Sequence, residues 1–230
     1  MEYPNITEGV FLRRPNRFIA HVEVCGKEEI CHVKNTGRCR ELLVPGCRVY
    51  LVESDNPNRK TRYDLVAVEK QRGNETLCIN MDSQAPNQLF GEWAEAGKFR
   101  PNLTKLKSET TFCNSRFDYY WETSESRGFV EIKGVTLEEN GVVRFPDAPT
   151  QRGVKHLEEL ILAKKEGYEA TVCFVVQMKG MDHLEPNDAT HPAFGAALRR
   201  CREEGVEILA LECEVIPGRV QIIGTIPVVL

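Results

Sequence analysis

The sequence predicts an α/β plus small β-barrel architecture: a compact all-β unit followed by a mixed sheet flanked by helices. Three observations carry this. Between Val10 and about Met81, five short β-like segments alternate with turn signals. From Ser115 to Val135, two longer alternating stretches read as a hairpin around a polar turn. Beyond it, helical and apolar strand-like segments take turns to the end of the chain, the pattern of a sheet covered by helices. At 230 residues the chain accommodates one large domain or two small ones. The join is placed between 84 and 85, giving residues 1–84 to the barrel and 85–230 to the mixed-sheet domain.

The five barrel segments are Arg17 to Val24, Glu29 to Val33, Arg48 to Glu53, Tyr63 to Lys70 and Thr76 to Asn80. Turns are expected at Cys25-Gly26-Lys27, Pro45-Gly46, Asn56-Pro57-Asn58 and Arg72-Gly73-Asn74. Periodicity alone suits an OB-fold or an SH3-like barrel. Asn35-Thr36-Gly37-Arg38 is either a loop offering amides and Arg38 to a phosphate or a plain turn before a short helix at Arg40 to Leu43. Phe11, Phe18, Tyr50 and Tyr63 could stack bases, as small barrels that hold single strands do, or could fill the barrel instead.

A helix is expected from Pro86 through Lys98, with Leu89, Phe90 and Trp93 at helical spacing and Gly97 near its end. Leu103 to Phe112 reads as a strand, then Ser115 to Val135 as the hairpin. In its second arm Glu131 and Lys133 stand two apart, so both project to one face while Ile132 points to the other. Asp118 lies on the partner arm at a height where a cross-strand carboxylate pair can form. Adjacent carboxylates are tolerated when a cation or a proton lies between them, and oxygen ligands of this kind suit Mg²⁺ or Mn²⁺. The plainer reading is a solvated hairpin face with cross-strand ion pairs. Glu109 is a weaker third acidic position.

Glu139-Asn140-Gly141 signals a two-residue hairpin. Thr150 caps a helix running to about Glu166, and Arg152, Lys155 and His156 gather in its first turn, where basic side chains gain nothing from the helix dipole and therefore suggest an anionic partner. His156 has a second reading, as a buried hydrogen-bonding group. Ala170 to Gln177 is an apolar run expected of a central strand, with Gln177 at its end approaching the acidic pair. Met178 to His191 reads as an irregular loop, Pro192 to Glu204 as a helix, Val206 to Glu212 as a buried strand and Arg219 to Val229 as a final strand.

Composition is that of an ordinary globular protein, 41% hydrophobic and 28% charged. The first residues lack a signal peptide and no apolar run reaches the roughly 20 residues of a membrane helix, so a cytoplasmic protein without a membrane partner is expected. Nine cysteines, an odd number with no C-x-x-C pair, argue against zinc and for buried thiols. The net charge of -4 excludes a broadly basic nucleic-acid binder. Basic residues are instead clustered: Arg13, Arg14 and Arg17; Arg38, Arg40 and Arg48; Arg59, Lys60 and Arg62.

Ser115-Arg116-Phe117-Asp118 and Val130-Glu131-Ile132-Lys133, followed by Phe145-Pro146-Asp147-Ala148 and Arg152-Gly153-Val154-Lys155-His156, resemble the sugar fermentation stimulation protein A (SfsA) family. His32 to Arg38, Pro45-Gly46 and Arg59-Lys60-Thr61 extend the resemblance over nearly the whole chain. It implies an N-terminal OB-fold domain and a C-terminal restriction-endonuclease-like domain of the PD-(D/E)xK type, with DNA as the partner. Asp118, Glu131 and Lys133 match that nuclease motif, its leading proline replaced by Phe117. Pro146-Asp147 is a literal Pro-Asp pair, but no Glu-x-Lys follows at a workable distance. The expected function is a Mg²⁺- or Mn²⁺-dependent nuclease with Asp118, Glu131 and the Ile132 carbonyl on the metal, Lys133 aiding attack, and Arg38, Arg116, Arg152, Lys155 and His156 on single- or double-stranded DNA. The competing reading is a DNA-binding regulator that does not catalyse, and a homodimer is entertained as a further assembly.

Overall fold

The computed structural model describes residues 1–35, 37–56 and 58–230. Thr36 in the Asn35 to Arg38 loop and Pro57 in the second expected turn lie outside the described residues. The first six strands are β1 (Ile6–Asn16), β2 (Ile19–Val24), β3 (Lys27–Val33), β4 (Arg48–Glu53), β5 (Tyr63–Arg72) and β6 (Glu75–Asn80). They pair in the order β3-β2-β1-β4-β5-β6, and a parallel pairing of β3 with β5 closes the barrel. Five strands were expected, and β1 is the addition. Its charged Arg13-Arg14-Pro15 run hides the alternation, because the strand is irregular there, with shifts of register against β2 after Phe11 and after Arg13. Arg17 and Phe18 belong to the hairpin turn rather than to a strand, held by Asn16 Oδ1, which accepts the Phe18 and Ile19 amides. The short helix expected at Arg40 to Leu43 is a turn in which Leu42 and Leu43 donate to the Cys39 carbonyl. Phe11, Tyr50 and Tyr63 are buried, so of the four aromatics only Phe18 is exposed.

The link between domains is pinned. Asp82 is fully buried, with Lys34 Nζ 2.6 Å from its Oδ2, while the Ser83 amide and hydroxyl both donate to the Lys34 carbonyl. Helix α1 (Ala85–Glu95) follows, with proline in its first turn, and ends three residues before the expected Lys98. Leu89 and Phe90 bury one face of α1 against Trp121, Val130 and Ile132.

The second large sheet has the order β15-β14-β12-β9-β8-β7, formed by β7 (Lys105–Phe112), β8 (Ser115–Glu122), β9 (Arg127–Val135), β12 (Glu169–Val176), β14 (Glu207–Ile216) and β15 (Arg219–Thr225). Strands β9, β12 and β14 run parallel and the outer ones antiparallel, so the sheet is mixed. Val172, Phe174 and Val176 pack toward α2 (Gln151–Lys165) and α3 (Pro192–Glu203), while Cys173 and Val175 pack toward α1. This alternation is the period of two on a strand covered on both faces. Thr150 caps α2 as expected, its hydroxyl accepting the Gly153 amide at 3.0 Å. A small third sheet joins β10 (Glu138–Glu139), β11 (Val142–Phe145) and β13 (His183–Pro186); the last lies within the stretch expected to be irregular. Asn140 and Gly141, both at positive φ, turn β10 into β11.

One apolar core runs from the barrel into the α2 and α3 side of the mixed sheet. Lys70 Nζ reaches across to the buried Glu138 at 2.6 Å, and the Asn80 amide donates to the Gln177 carbonyl at 3.0 Å. Among the described residues all nine cysteines are unpaired thiols, and no helix is long and apolar enough to cross a membrane.

Candidate active site

Strands β8 and β9 form a regular ladder from Glu122 opposite Arg127 to Tyr119 opposite Val130. The next residue of β8 is Asp118, and there the ladder gives way to a side chain. Asp118 Oδ2 accepts the Ile132 amide at 2.7 Å, a bond that a backbone carbonyl would otherwise make. Its Oδ1 accepts from Asn87 Nδ2 in the first turn of α1, at 2.8 Å. The Tyr119 hydroxyl donates to the Asn87 carbonyl at 3.0 Å and fixes that turn against β8. Burial raises the pKa of Asp118 and the neighbouring charge of Glu131 raises it further, against the opposing pull of the Ile132 and Asn87 hydrogen bonds.

Glu131, next before Ile132 on β9, reaches His156 on α2 and is 3% exposed. Its Oε1 takes two donors: Lys133 Nζ at 2.7 Å and His156 Nδ1, through a short hydrogen bond. Burial pushes the Glu131 pKa up, but the His156 hydrogen bond and the Lys133 charge outweigh it and hold the carboxyl below the usual range. Arg152 Nε donates to His156 Nε2 at 3.3 Å, so the hydrogen-bond network assigns the ring proton to Nδ1 and runs from Arg152 through His156 to Glu131.

Asp118, Glu131 and Lys133 therefore converge at one place on the sheet, and the plainer reading of an open, solvated face does not describe them. The expected basic cluster divides. Arg152 and Lys155 are exposed on α2, with Lys155 Nζ 2.8 Å from the Asn114 carbonyl and 3.6 Å from Glu159. His156 is instead buried against Glu131, as the second of its two readings had it. Arg116 is exposed and 3.4 Å from Glu109, itself exposed and so paired with a surface arginine. Arg38 is exposed on the barrel, in a groove of about 620 Å³ that also includes Arg17, Arg40 and Ala148. Several other clustered arginines are occupied: Arg13 by Glu28, Arg48 by Glu8, Arg59 by Asp64 and Arg62 by Glu53.

Two neighbours escaped the sequence reading or were only sketched by it. Asn87 carries no chemical signal in A-P-N-Q beyond marking a helix start. Gln177, expected near the acidic pair, is 1% exposed and lies against Gly134, the residue after Lys133; its Oε1 has no hydrogen-bond partner.

The donors fit a hard divalent cation. Glu131 Oε2 is buried without a partner, and Asp118 carries a second carboxylate within range of its charge. The Ile132 carbonyl projects to the same edge of β9 as its amide, toward Asp118. No group of three or more His, Cys, Asp or Glu able to hold a metal occurs among the described residues, so further oxygens would come from the main chain, water or substrate.

A closed barrel joined to this mixed sheet, with two carboxylates and a lysine where β8 and β9 part, defines an OB domain followed by a restriction-endonuclease-like domain. The chain belongs to the sugar fermentation stimulation protein family: residues 84–219 match the model described as the Sugar fermentation stimulation protein RE domain, and residues 12–79 match the SfsA N-terminal OB domain. A homolog from Desulfitobacterium hafniense is 60% identical over 94% of this chain and 92% of its own. One from Clostridium beijerinckii is 52% identical over all of both chains. The solved structure of Pyrococcus furiosus SfsA in complex with Ca²⁺ superposes with a TM-score of 0.90 at 29% identity, covering 100% of this chain and 98% of that one.

Proposed function

We propose that the protein is a divalent-metal-dependent phosphodiesterase that cleaves DNA. The observation that carries this reading is the convergence of Asp118, Glu131 and Lys133 around the Ile132 main chain, with Glu131 Oε2 left without a partner. Asp118, Glu131 and the Ile132 carbonyl would hold Mg²⁺ or Mn²⁺. The Ca²⁺ complex of the Pyrococcus furiosus relative supports a hard cation with oxygen ligands. Such an ion supplies Lewis acidity to a phosphodiester and makes a water more acidic.

The chain's own residues do the rest. Asn87 and the Ile132 amide orient Asp118 by holding both its oxygens. His156 fixes one Glu131 oxygen and leaves the other for the cation. Lys133, part-buried beside Glu131, would orient the attacking water or offset charge on the phosphate as it develops. Arg38, Arg116, Arg152 and Lys155 supply exposed positive charge for the phosphate backbone. The barrel, residues 1–84, would grip substrate for the 85–230 domain, in the cytoplasm.

The test is incubation of the purified protein with single- and double-stranded DNA and RNA in Mg²⁺, Mn²⁺ or chelator, beside Asp118→Asn and Lys133→Ala. Metal-dependent cleavage of DNA, lost in both variants while binding persists, supports the reading. Binding without metal-dependent cleavage would make the protein a DNA-binding regulator and overturn it.

A further inference from the structure

A slot of about 180 Å³ opens between the two domains immediately beyond the acidic edge. Gly134, next after Lys133 on β9, lines it, together with Gln177, Phe145, Asp147, Ser83 and Asn35 among others. We propose that this slot receives one unpaired nucleobase of a single-stranded DNA substrate, whose phosphates run along the neighbouring arginine groove. This rests on the nuclease reading and names its substrate: a strand with an accessible, unstacked base.

The two cavities differ in charge, and that difference assigns their occupants. In the groove Arg17, Arg38 and Arg40 have no acidic partner among the described residues, leaving three guanidinium groups for phosphates. In the slot the one guanidinium, Arg144, is taken by Glu139 at 2.8 Å and Glu185 at 3.1 Å, and Asp147 adds an exposed carboxylate. A phosphate would be repelled there. A base would not, since its amino and imino groups donate to a carboxylate.

The slot also has the parts that read a base. Phe145 offers a ring backed by Phe174 and Phe194, with centroids 5.6 and 5.1 Å away, and aromatic rings hold unstacked bases. Gln177 Oε1 has no hydrogen-bond partner among the described residues although the residue is 1% exposed, an arrangement that buried amides avoid unless something else pairs with them. Gly37 lines both cavities and joins them. A Cβ at Gly37 would come within 2.8 Å of Asp147 Oδ2 and 2.9 Å of Asn35 Oδ1, so this glycine leaves room at the junction, and one at Gly134 would come within 2.8 Å of Pro86 Cγ, so that glycine lets α1 pack closely on β9 beside the slot. The first turn of α1 ties slot to site, because Pro86 packs at Gly134 while Asn87 holds Asp118. A base in a slot between domains must have left its duplex, which favours single strands over paired ones.

Fluorescence anisotropy with a labelled single-stranded oligonucleotide in EDTA, in which one abasic position is moved along the sequence, reads the slot without any cleavage. One abasic position should weaken binding by about tenfold, the scale of a stacked base. In Asp147→Ala, a change at an exposed residue, that position should lose most of its effect; Gln177→Leu should do the same, with a melting curve to show that it folds. A blunt duplex of the same length should bind more weakly. A flat abasic scan, or equal binding of duplex and single strand, overturns the slot while metal-dependent cleavage of DNA would leave the nuclease reading standing. Absence of both binding and cleavage on every DNA would overturn the two together.

Discussion

His156 Nδ1 and Lys133 Nζ meet on the same oxygen of Glu131, Oε1, and leave Oε2 buried with no partner among the described residues. Glu131 thus stays ionised in a buried place, with the donors gathered on one of its two oxygens.

Removing His156 should cost stability as well as activity. A hydrogen bond to a charged group contributes about 1.5–3 kcal/mol, and His156→Ala should lose about that much at pH 7 by denaturant unfolding. Glu131 has a folded-state pKa below its unfolded one, so its stabilisation is present above the usual carboxylate range and fades as pH falls through the folded value. The gap between wild type and His156→Ala should therefore narrow in acid.

Asp118 behaves in the opposite sense. Burial and the Glu131 charge raise its pKa, so its ionised form costs stability at neutral pH and protonation relieves the cost. Asp118→Asn, which keeps an oxygen for the Ile132 amide, should raise the melting temperature without divalent cation. In Mg²⁺ at about 100 times its Kd, wild type should gain about 2.7 kcal/mol and the variant little. A variant less stable than wild type in EDTA would contradict this.

Gly91 sets the distance between α1 and β8. A Cβ there would lie 2.6 Å from the Tyr119 hydroxyl, whose bond to the Asn87 carbonyl fixes the helix turn that holds Asp118. Gly91→Ala should cost about 1–3 kcal/mol by overpacking and reduce cleavage along with it. Tyr119→Phe in the same background removes the clashing hydroxyl and should restore part of the stability.

The domains are joined through charge at Lys70 and Glu138. Burial raises the Glu138 pKa, but the Gly141 amide and Lys70 outweigh it and hold it below the usual range. Lys70→Met should destabilise the protein by about 2–3 kcal/mol at pH 7, because a buried carboxylate loses its main counter-charge. A depressed pKa stabilises fully above the usual carboxylate range, and that stabilisation is lost as pH falls through the folded value, so the deficit should shrink in acid in thermal melts.

The hairpin that carries the site was legible because two strand-like stretches flank a polar turn, although β9 is buried on both faces, with Phe129 on one and Val130 and Ile132 on the other. The hairpin register leaves Asp118 next beyond Tyr119 on β8, where it accepts the Ile132 amide in place of a main-chain carbonyl. Strand β1 was not legible, since Arg13, Arg14 and Pro15 fall where it bends, and Arg14 spends its guanidinium on the carbonyls of Arg17, Asn35 and Arg38. Nor was the Asn87 contact, which depends on how a helix distant in sequence docks on β8. The first turn of α2 showed its charge in the sequence but not its division into exposed Arg152 and Lys155 and buried His156, which is set by rotation of the helix about its axis.

Titration of Mn²⁺ into the purified protein and into Asp118→Asn, followed by calorimetry, tests the pocket most directly. The geometry predicts one saturable site in wild type, weakened by tenfold or more, roughly, in a variant that stays folded. Identical isotherms for the two proteins would show that Asp118 and Glu131 do not share a cation.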